Sequence, residues 1–393
     1  MRVLFVTSRF PDDLRSGDRR RAWEHLRRLA PAHAITLLAF DDRAGDPLQR
    51  QRVYGLCERV IVVPRDRVGM LVRAALALPA STPLQVAMYA APALCRALRE
   101  ACERTHFDLI HLQLARLGAL VPRASSAPPC VLDFVDALSL NMARRAQHDH
   151  GVMRFGASVE AKRLLGYERG LCGRITAGAV SASGDRAALG DPRNVQLVHN
   201  GVDPLEFPFA VEPRDDSAIA FIGNLGYFPN VDAALWFAAQ MPRIRAARAG
   251  AELRLIGARP AARLQRLAAH REGVRLVGPV ADVHPHLARA AVAITPMRAG
   301  SGQQLKILEA MATGTPVVAT SIAAAAIEAV PGRDLLVADH AGDFADAVLR
   351  VLDDRALAAK LARNGRELVE RRYTWQASAD ALERVWLDAV ASH

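Results

Sequence analysis

The stretch Pro296–Thr320 (PMRAGSGQQLKILEAMATGTPVVAT) contains residue types suited to binding an anion. Gly300 and Gly302 allow the backbone to approach a ligand closely, and a helical pattern follows them. The first amide groups of a helix have no acceptor within the helix, and the helix dipole favours negative charge beside them. The amides concerned belong to Gln303, Gln304 and Leu305. The spacing therefore predicts an anion site at the start of this helix.

Two charged side chains of the same helix extend this prediction. Lys306 is placed to put a positive charge next to a diphosphate, and Glu309 could accept two hydrogen bonds from a ribose diol. Gly314 and Pro316 then end the helix and begin the next strand. Together these residues predict a nucleotide-sugar site. The alternative is an ordinary turn between a strand and a helix, in which the glycines serve only packing.

A sheet must hold these residues in place, and the sequence predicts two similar halves. Each half begins with a short apolar run, followed by a glycine-containing loop and a helical pattern. In the first half these segments are Val3–Thr7, Ser8–Asp18 and Arg19–Ala30. In the second half they are Ala218–Ile222, Gly223–Asn230 and Val231–Gln240. Further strands are predicted at Ile35–Ala39, Val60–Val63, Leu109–Leu112, Val131–Phe134, Leu253–Ile256, Val274–Leu276, Val292–Thr295, Pro316–Ala319 and Leu335–Val337.

Short apolar strands that alternate with amphipathic helices are typical of parallel sheets in an α/β fold. We expect two Rossmann-like domains, residues 1–205 and residues 206–372, with a C-terminal helix at about 373–393 that packs back on the first domain. Asp203–Asp216 contains three prolines and no helical period, and is the predicted linker and hinge. Ligands of such sheets bind at the carboxyl ends of the strands, so a cleft between the domains is the expected site.

Composition restricts the class of protein. The chain has 393 residues, of which 51% are hydrophobic and 23% charged, as in packed globular proteins. Five cysteines without a CxxC pair give neither a disulfide framework nor a zinc site, and fit a reducing cytosol. The apolar run Met1–Thr7 is too short for a signal peptide, and charges and prolines interrupt Met70–Leu98. We therefore predict a cytoplasmic protein, whose net charge of +10 leaves peripheral contact with the inner face of a membrane open.

The glycine-rich stretch resembles the donor-site signature of the retaining GT-B glycosyltransferases of family 4, also called group 1. It is most similar to the GSGxxxKxLEAMAxGxPVV variant of sugar transferases linked to exopolysaccharide clusters. Weaker similarities follow in the family's order at Thr7–Ala30, Phe134–Ser139, Tyr167–Leu171, Val198–Asp203 and Phe221–Phe237. The resemblance implies a GT-B fold with two Rossmann-like domains and a cleft between them. It also implies transfer of a sugar from a nucleoside-diphosphate donor to an acceptor.

The resemblance assigns roles in the second domain. Glu309 matches the second Glu of the family's Glu-x7-Glu pair, which is associated with the ribose. Ser301 stands at the first Glu, which usually contacts the donor sugar, so the identity of that sugar is open. The loop Gly223–Asn230 lacks the Arg and Lys of many relatives, so Lys306 and Arg298 would supply the positive charge. The implied donor-binding residues are Gly223, Asn224, Val280, Arg298, Gly300, Ser301, Gly302, Gln303, Gln304, Leu305, Lys306 and Glu309.

In the first domain, DLIHLQ resembles the family's His-x-His segment. His111 is retained and Gln113 replaces the second His, so His111 is either catalytic or a structural residue of the core. Asp136 could orient an acceptor hydroxyl, act as a base, or cap a helix. The predicted acceptor-side residues are Gly17, Asp18, Arg19, Gln113 and Asn200. For Gly17, Asp18 and Arg19, the alternative is a solvated basic helix face.

The predicted reaction is a hexosyl transfer with retention of configuration and without a metal or other cofactor. Amides at the start of the helix, together with Lys306, would stabilise the leaving diphosphate. The candidate catalytic residues are His111, Asp136, Ser301 and Lys306. The predicted partners are a nucleoside-diphosphate sugar and a sugar, lipid-linked or small-molecule acceptor, but not nucleic acid. The alternatives are a sugar-nucleotide 2-epimerase of the same architecture and a non-catalytic nucleotide-sugar-binding protein.

Overall fold

The structure, a computed structural model, describes residues 1–41, 45–124, 127–148, 150–210, 214–299 and 302–393. The chain divides into two compact units. The first unit contains Met1–His199 and Gln376–His393, and the second contains Asn200–Trp375. Each unit has a sheet of its own, and every strand pair in both sheets is parallel.

The first unit contains a seven-stranded sheet in the order β3-β2-β1-β4-β5-β6-β7. Its strands are β1 (Arg2–Thr7), β2 (Ala34–Asp41), β3 (Arg59–Pro64), β4 (Leu109–Gln113), β5 (Cys130–Val135), β6 (Ala177–Val180) and β7 (Val195–Leu197). Its helices are α1 (Gly17–Leu29), α2 (Pro47–Leu56), α3 (Arg67–Leu76), α4 (Leu84–Tyr89), α5 (Pro92–Arg104), α6 (Leu138–His148), α7 (Gly151–Cys172) and α8 (Ser183–Ala188). A 3-10 turn covers Ala115–Leu120.

The second unit contains a six-stranded sheet in the order β10-β9-β8-β11-β12-β13. Its strands are β8 (Asp215–Ile222), β9 (Glu252–Ile256), β10 (Val274–Gly278), β11 (Ala290–Thr295), β12 (Val317–Ala319) and β13 (Leu336–Val337). Its helices are α9 (Phe228–Ala238), α10 (Met241–Ala247), α11 (Ala262–His270), α12 (His284–Arg289), α13 (Leu305–Ala312), α14 (Ser321–Ala324), α15 (Ala341–Asp353) and α16 (Arg355–Arg372). The last helix, α17 (Trp375–Ala391), returns to the first unit from Gln376 onward.

Apolar side chains lie on both faces of the central strands, as is typical of parallel sheets that helices cover on both sides. Strand β1 is buried from Val3 to Thr7, so helices must cover both of its faces. On one face, Phe5 packs in a cluster with Trp386 of α17. The prediction of an α/β fold with two parallel sheets is confirmed. The short strands β6 and β7, which contain few strand-forming residues in a row, were missed.

The predicted linker packs within the second unit. Val202 pairs with Thr374, and Phe207 is buried in the core of this unit. The amide of Ala210 donates a hydrogen bond of 3.0 Å to the carbonyl of Thr313. The boundary between the units lies at 199/200, before the prolines rather than among them. Proline content marked a segment that is largely without regular structure in its described part, but Phe207 and the backbone of Ala210 anchor it to the second unit.

Candidate functional site

Both sheets have a topological switch point, where the order of the strands reverses. In the second unit this point lies between β8 and β11, which neighbour each other. The loop after β8 contains Gly223 and Asn224, and the loop after β11 leads into α13. Since parallel strands end at the same edge of a sheet, both loops lie at the edge where α/β proteins bind ligands. The structure therefore brings together the two loops that the sequence singled out for the donor.

The loop after β11 ends in an uncapped helix start. Helix α13 begins at Leu305, with Gln304 in the N-cap position, and no side chain caps it. The amides of its first turn therefore retain donor capacity that the helix does not use. Gly302 adopts a φ of 71°, a left-handed conformation that favours glycine. The predicted site residues Gly300 and Ser301 lie outside the described residues.

Gln303 carries a buried amide group that is half satisfied. Gln303 is 8% exposed. Its Oε1 accepts a 2.7 Å hydrogen bond from the backbone amide of Asn200. That bond fixes which end of the side-chain amide is the oxygen. The other end, Nε2, is buried and has no hydrogen-bond partner among the residues that the structure describes. A buried donor without a partner is unfavourable, so Nε2 is a candidate contact for a ligand oxygen. Asn200, predicted on the acceptor side, acts here through its backbone.

Lys306 lies among polar and aromatic groups at the start of α13. Its Nζ donates a 2.7 Å hydrogen bond to Oδ1 of Asn230, and lies 4.9 Å from the centre of the Phe221 ring. Burial lowers the pKa of Lys306 to about 8, while the charge of Glu309 acts in the opposite direction. The ammonium form therefore still prevails at pH 7. An ammonium has three donors, so Lys306 can bind an anion without releasing Asn230.

Asn230 is a site residue that the sequence reasoning missed. It is buried on α9, and its Nδ2 donates a 3.0 Å hydrogen bond to the carbonyl of Asn224 while its Oδ1 holds Lys306. A Cβ atom on Gly223 would lie 2.8 Å from that Nδ2, so glycine is required for this close packing. Its position in the first turn of α9, directly after a loop without Arg or Lys, could have indicated from the sequence that Asn230 belongs to the site. Asn230 thus links the two loops of the site.

The remaining donor-site predictions occupy distinct positions. Glu309 lies on α13, three residues after Lys306, and is only 8% exposed. Arg298 forms a two-pronged ion pair with Asp232, with Nε 3.0 Å from Oδ2 and Nη2 2.5 Å from Oδ1. Much of its charge is therefore already balanced within the protein. Val280 is half-buried and packs against the core just after β10.

In the first unit, the switch point lies between β1 and β4. Gln113 ends β4, is buried, and donates a 3.1 Å hydrogen bond from Nε2 to the carbonyl of Asp18. Asp18 is ion-paired with Arg9, and buried Arg19 pairs with Asp12 at 3.1 Å. These predicted acceptor-side residues hold the loop before α1 in place.

Asp18 is held in an ion pair, whereas Gly17 has open space beside its backbone. Burial opposes ionisation of Asp18, but the charges of Arg9 and Arg116 and hydrogen bonds from Arg9 and Ser16 lower its pKa. Asp18 is therefore an anion committed to its arginine. Gly17 stands at the start of α1, where an added Cβ would meet nothing within 4 Å. Of these loop residues, Gly17 has open space beside it.

The structure gives His111 a packing role. Its ring is fully buried, lies 4.2 Å from the Phe5 ring, and accepts a 3.1 Å hydrogen bond on Nδ1 from Nε1 of Trp386. Burial lowers the pKa of His111 to about 4, so the imidazole is neutral. A side chain enclosed in this way cannot reach a substrate. Of the two possibilities for His111, the structural one is favoured, because alternation along β4 turns this residue towards the core.

Asp136 lies at the carboxyl edge of the same sheet, directly after β5. Val135 before it has a φ of 65°, which is a strained conformation for a β-branched residue. Such strain concentrates at functional sites. The nearby carboxylates of Glu168 and Asp185 accept hydrogen bonds from the backbone at the start of α6. These two carboxylates therefore supply capping acceptors at the start of α6.

A metal-binding cluster and a membrane-spanning helix are both absent from the described residues. No group of three or more His, Cys, Asp or Glu side chains is arranged to hold a metal ion there. No helix of that part of the chain is long and apolar enough to cross a membrane.

Comparison with known proteins identifies the second unit. Residues 216–354 match the family model described as Glycosyl transferases group 1. The glycogen synthase of Mycobacterium tuberculosis is 32% identical over 206 residues, which cover 50% of this chain and 49% of that protein. This chain thus spans about half the length of that curated relative. The phosphatidyl-myo-inositol mannosyltransferase of Mycolicibacterium smegmatis is 26% identical over 307 residues, 75% of each chain.

The fold extends this similarity over the whole chain. The structure of Anabaena HepE in complex with UDP is similar with a TM-score of 0.72 and 14% identity, over 99% of this chain and 100% of that one. This likeness concerns the fold alone. The chain has the GT-B fold, and residues 216–354 of its second unit are similar to the glycosyl transferases of group 1.

Proposed function

We propose that this protein is a glycosyltransferase that moves a sugar from a nucleoside-diphosphate donor to a hydroxyl group of an acceptor. The observation that carries the proposal is the cluster around the start of α13. There a helix start whose N-cap side chain forms no capping bond, a half-buried lysine and a buried amide donor lie at the switch point of the second sheet. Within the described part of the chain, that amide donor has no hydrogen-bond partner. All three favour an anionic ligand rich in oxygen acceptors.

The diphosphate is the proposed ligand of the helix start and of Lys306. In glycosyl transfer, negative charge develops on the diphosphate as the sugar leaves. Donors that are already in place, in a site with little water, stabilise such charge more strongly than they stabilise the substrate. Lys306 is held by Asn230 before any ligand binds, so it need not reorganise during the reaction. Arg298 has a smaller part, because Asp232 already balances it.

The ribose and the sugar are assigned to Glu309 and Gln303. Glu309 is acidic, buried and near Lys306, and its carboxylate can accept hydrogen bonds from the two ribose hydroxyls. Nε2 of Gln303 can donate one hydrogen bond to an oxygen of the sugar or of the neighbouring phosphate. Burial of both groups favours a ligand that satisfies them over water alone. Ser301, although outside the described residues, stays a proposed contact of the donor sugar.

The stereochemistry and the metal requirement are part of the proposal. Retention of configuration is proposed because the donor loop resembles that of retaining enzymes. Transfer without a metal is proposed because the amides of α13 and Lys306 together supply the kind of charge stabilisation that a divalent cation otherwise gives. A uridine nucleotide is the first donor to test, since the structurally similar HepE binds UDP. The mannosyltransferase relative acts on a phosphatidyl-inositol, which favours a lipid-linked acceptor for this chain.

The first test is a thermal-shift screen of the purified protein with UDP, GDP, dTDP and ADP, each with and without common sugars attached. We expect one nucleotide family to raise the melting temperature, because ligands that bind only the folded state stabilise it. No shift with any nucleotide at millimolar concentration, with the protein folded, would contradict the proposal.

A second measurement separates the alternatives. The nucleotide sugar that binds is incubated with and without candidate acceptors, and the products are separated. Transfer to an acceptor supports the glycosyltransferase. Conversion of UDP-GlcNAc to its 2-epimer without an acceptor would instead identify an epimerase. Tight binding without turnover on every acceptor class would identify a non-catalytic binding protein.

A further inference from the structure

Helix α3 presents an apolar face to solvent. Val68, Leu71, Val72 and Leu76 follow an i, i+3, i+4, i+8 spacing, which places them on one side of the helix. They are between 52% and 73% exposed, whereas Met70 on the other side is buried. A surface helix normally turns its apolar face to the core and its polar face to water. The orientation of α3 is the reverse, which indicates that something covers this face.

The start of α7 adds a second group of exposed apolar side chains. Helix α7 lies against the segment that follows α3, because Arg163 donates a 2.7 Å hydrogen bond to the carbonyl of Leu78, and Glu160 accepts one of 3.1 Å from the amide of Leu84. We define the apolar patch as Val68, Leu71, Val72 and Leu76 of α3; Val152, Met153 and Phe155 at the start of α7 are exposed as well.

Positive charge accompanies the apolar patch. Arg67, Arg154 and Lys162 are exposed on the same two helices. The carboxylate of Asp66 caps α3 through the amide of Gly69, and Glu160 is buried. The first unit as a whole contains thirty Arg and Lys residues against twenty-two Asp and Glu, so it carries +8 of the net charge of +10. An exposed apolar face on a unit with a net positive charge is complementary to a surface that is apolar inside and anionic outside.

We propose that the apolar patch docks the first unit onto the surface of an anionic lipid bilayer. Leucine and valine side chains of α3 would enter the boundary between headgroups and acyl chains, while arginines of the first unit contact the headgroups. A second copy of this chain fits less well, because a symmetric interface would bring like charges of the two copies together. The inference deepens the proposed function by giving a lipid-linked acceptor a surface from which to reach the enzyme. It does not depend on sugar transfer.

The test is co-sedimentation of the full chain with vesicles of phosphatidylcholine alone and of phosphatidylcholine with phosphatidylglycerol. We expect binding to the anionic vesicles to be at least about tenfold stronger at low salt, and to weaken as salt rises. The double substitution L71E/L76E should weaken it by about tenfold or more. Leu205→Glu is the matched control, since Leu205 is 90% exposed in the second unit, and should bind as the unchanged protein does.

Three results would overturn the inference. The first is that the unchanged protein binds neither kind of vesicle. The second is that L71E/L76E binds as well as the unchanged protein, which would mean that charge alone causes the binding. A dimer in sedimentation velocity that L71E/L76E converts to a monomer, without vesicle binding, would assign the patch to a second copy of the chain. UDP thermal shifts are recorded for all variants. Retained shifts show that the fold and donor site are intact, so a failure of docking is distinguishable from a failure of the proposed function.

Discussion

Asn230, Lys306 and Gln303 are each held by a partner before any ligand arrives. Lys306 is held by the side chain of Asn230, Asn230 by the carbonyl of Asn224, and Gln303 by the amide of Asn200. At the scale of single residues, this is what distinguishes a binding site from a loop that happens to contain polar groups. Preorganised donors lose little freedom on binding, so each side chain should contribute measurably to affinity.

Glu309→Ala should weaken nucleotide binding by about 1–3 kcal/mol, because two charge-assisted hydrogen bonds to the ribose are lost. Isothermal titration calorimetry with the nucleotide identified by the thermal-shift screen measures this. Glu367→Ala, an exposed glutamate of α16 in the same unit, is the control. Equal affinity of Glu309→Ala and the control would remove Glu309 from the site.

Gln303→Glu should lower nucleotide affinity by about tenfold or more, since it removes the free Nε2 donor and places a carboxylate near the diphosphate. The substitution keeps an oxygen for the amide of Asn200, so the loop retains its support. Gln304→Glu, the half-buried neighbour, controls for the added charge alone. If both variants lose affinity equally, the Nε2 atom of Gln303 is not a ligand contact.

Nucleotide affinity should fall as pH rises from 7 to 8.5. With a pKa of about 8, Lys306 is protonated at the lower end of this range and loses its charge towards the upper end. The same titration with Lys306→Ala should give weaker binding with a flatter pH dependence. Parallel slopes in the two proteins would mean that another group titrates.

Helix α7 positions two other helices through its glutamates. Glu160 accepts hydrogen bonds from the amides of Leu84 and Gln85 at the start of α4, and Glu168 does the same at the start of α6 with Leu138 and Ser139. A carboxylate at a helix N-terminus binds orphan amides and interacts favourably with the helix dipole. At the scale of elements, α7 thus fixes where α6 begins, and with it the strained turn before Asp136.

The stability of the first unit should decrease between pH 4 and pH 7. Burial raises the pKa of Glu168 to about 7, and the charge of Asp136 adds to this against the hydrogen bonds from Ser139 and Leu138. Burial likewise raises the pKa of Asp185 to about 7. The folded protein therefore holds protons that the unfolded chain has already released above about pH 4, so the free energy of unfolding falls as pH rises through this window.

Glu168→Gln should flatten this part of the curve, because the variant cannot ionise at that position. Urea unfolding at pH 5 and pH 8, for the unchanged protein and the variant, measures the difference. Glu367→Gln serves as the exposed control. An identical loss of stability in the variant and the unchanged protein would mean that Glu168 does not titrate as its burial indicates.

The whole molecule repeats one architecture with different chemistry at each switch point. In the second unit, the edge between β8 and β11 contains the lysine, the amide and the glutamate that we propose bind the donor. In the first unit, the edge between β1 and β4 is occupied by ion pairs that fix the loop before α1, while Asp136 follows β5 further along. This division predicts that donor binding and turnover can be separated by substitution.

Asp136→Asn should lower the turnover number by about 10²-fold or more if Asp136 acts on the acceptor hydroxyl as a base. Nucleotide affinity should be unchanged, because the donor groups all belong to the second unit. Steady-state kinetics with an identified acceptor, together with calorimetry, measures both quantities. A normal turnover number would leave Asp136 as a structural residue of the turn after β5.

The sequence by itself determined the class of fold and the position of the donor loop. Apolar runs of strand length that alternate with amphipathic helices indicate strands buried on both faces. The spacing of Lys306 and Glu309 depends only on local helix geometry. These features need no knowledge of distant residues. For the same reason, the strands with few apolar residues, β6 and β7, were missed.

Only the tertiary structure decided which polar residues are committed to partners. Arg298 and Asp232 are 66 residues apart in the chain, His111 and Trp386 are 275 apart, and each pair is joined by a hydrogen bond. Whether a polar side chain faces a ligand or a neighbour depends on such distant contacts, which no local pattern records. The exposed apolar face of α3 was likewise decided by the tertiary structure. The sequence shows that the helix has an apolar side, but only its packing determines where that side points.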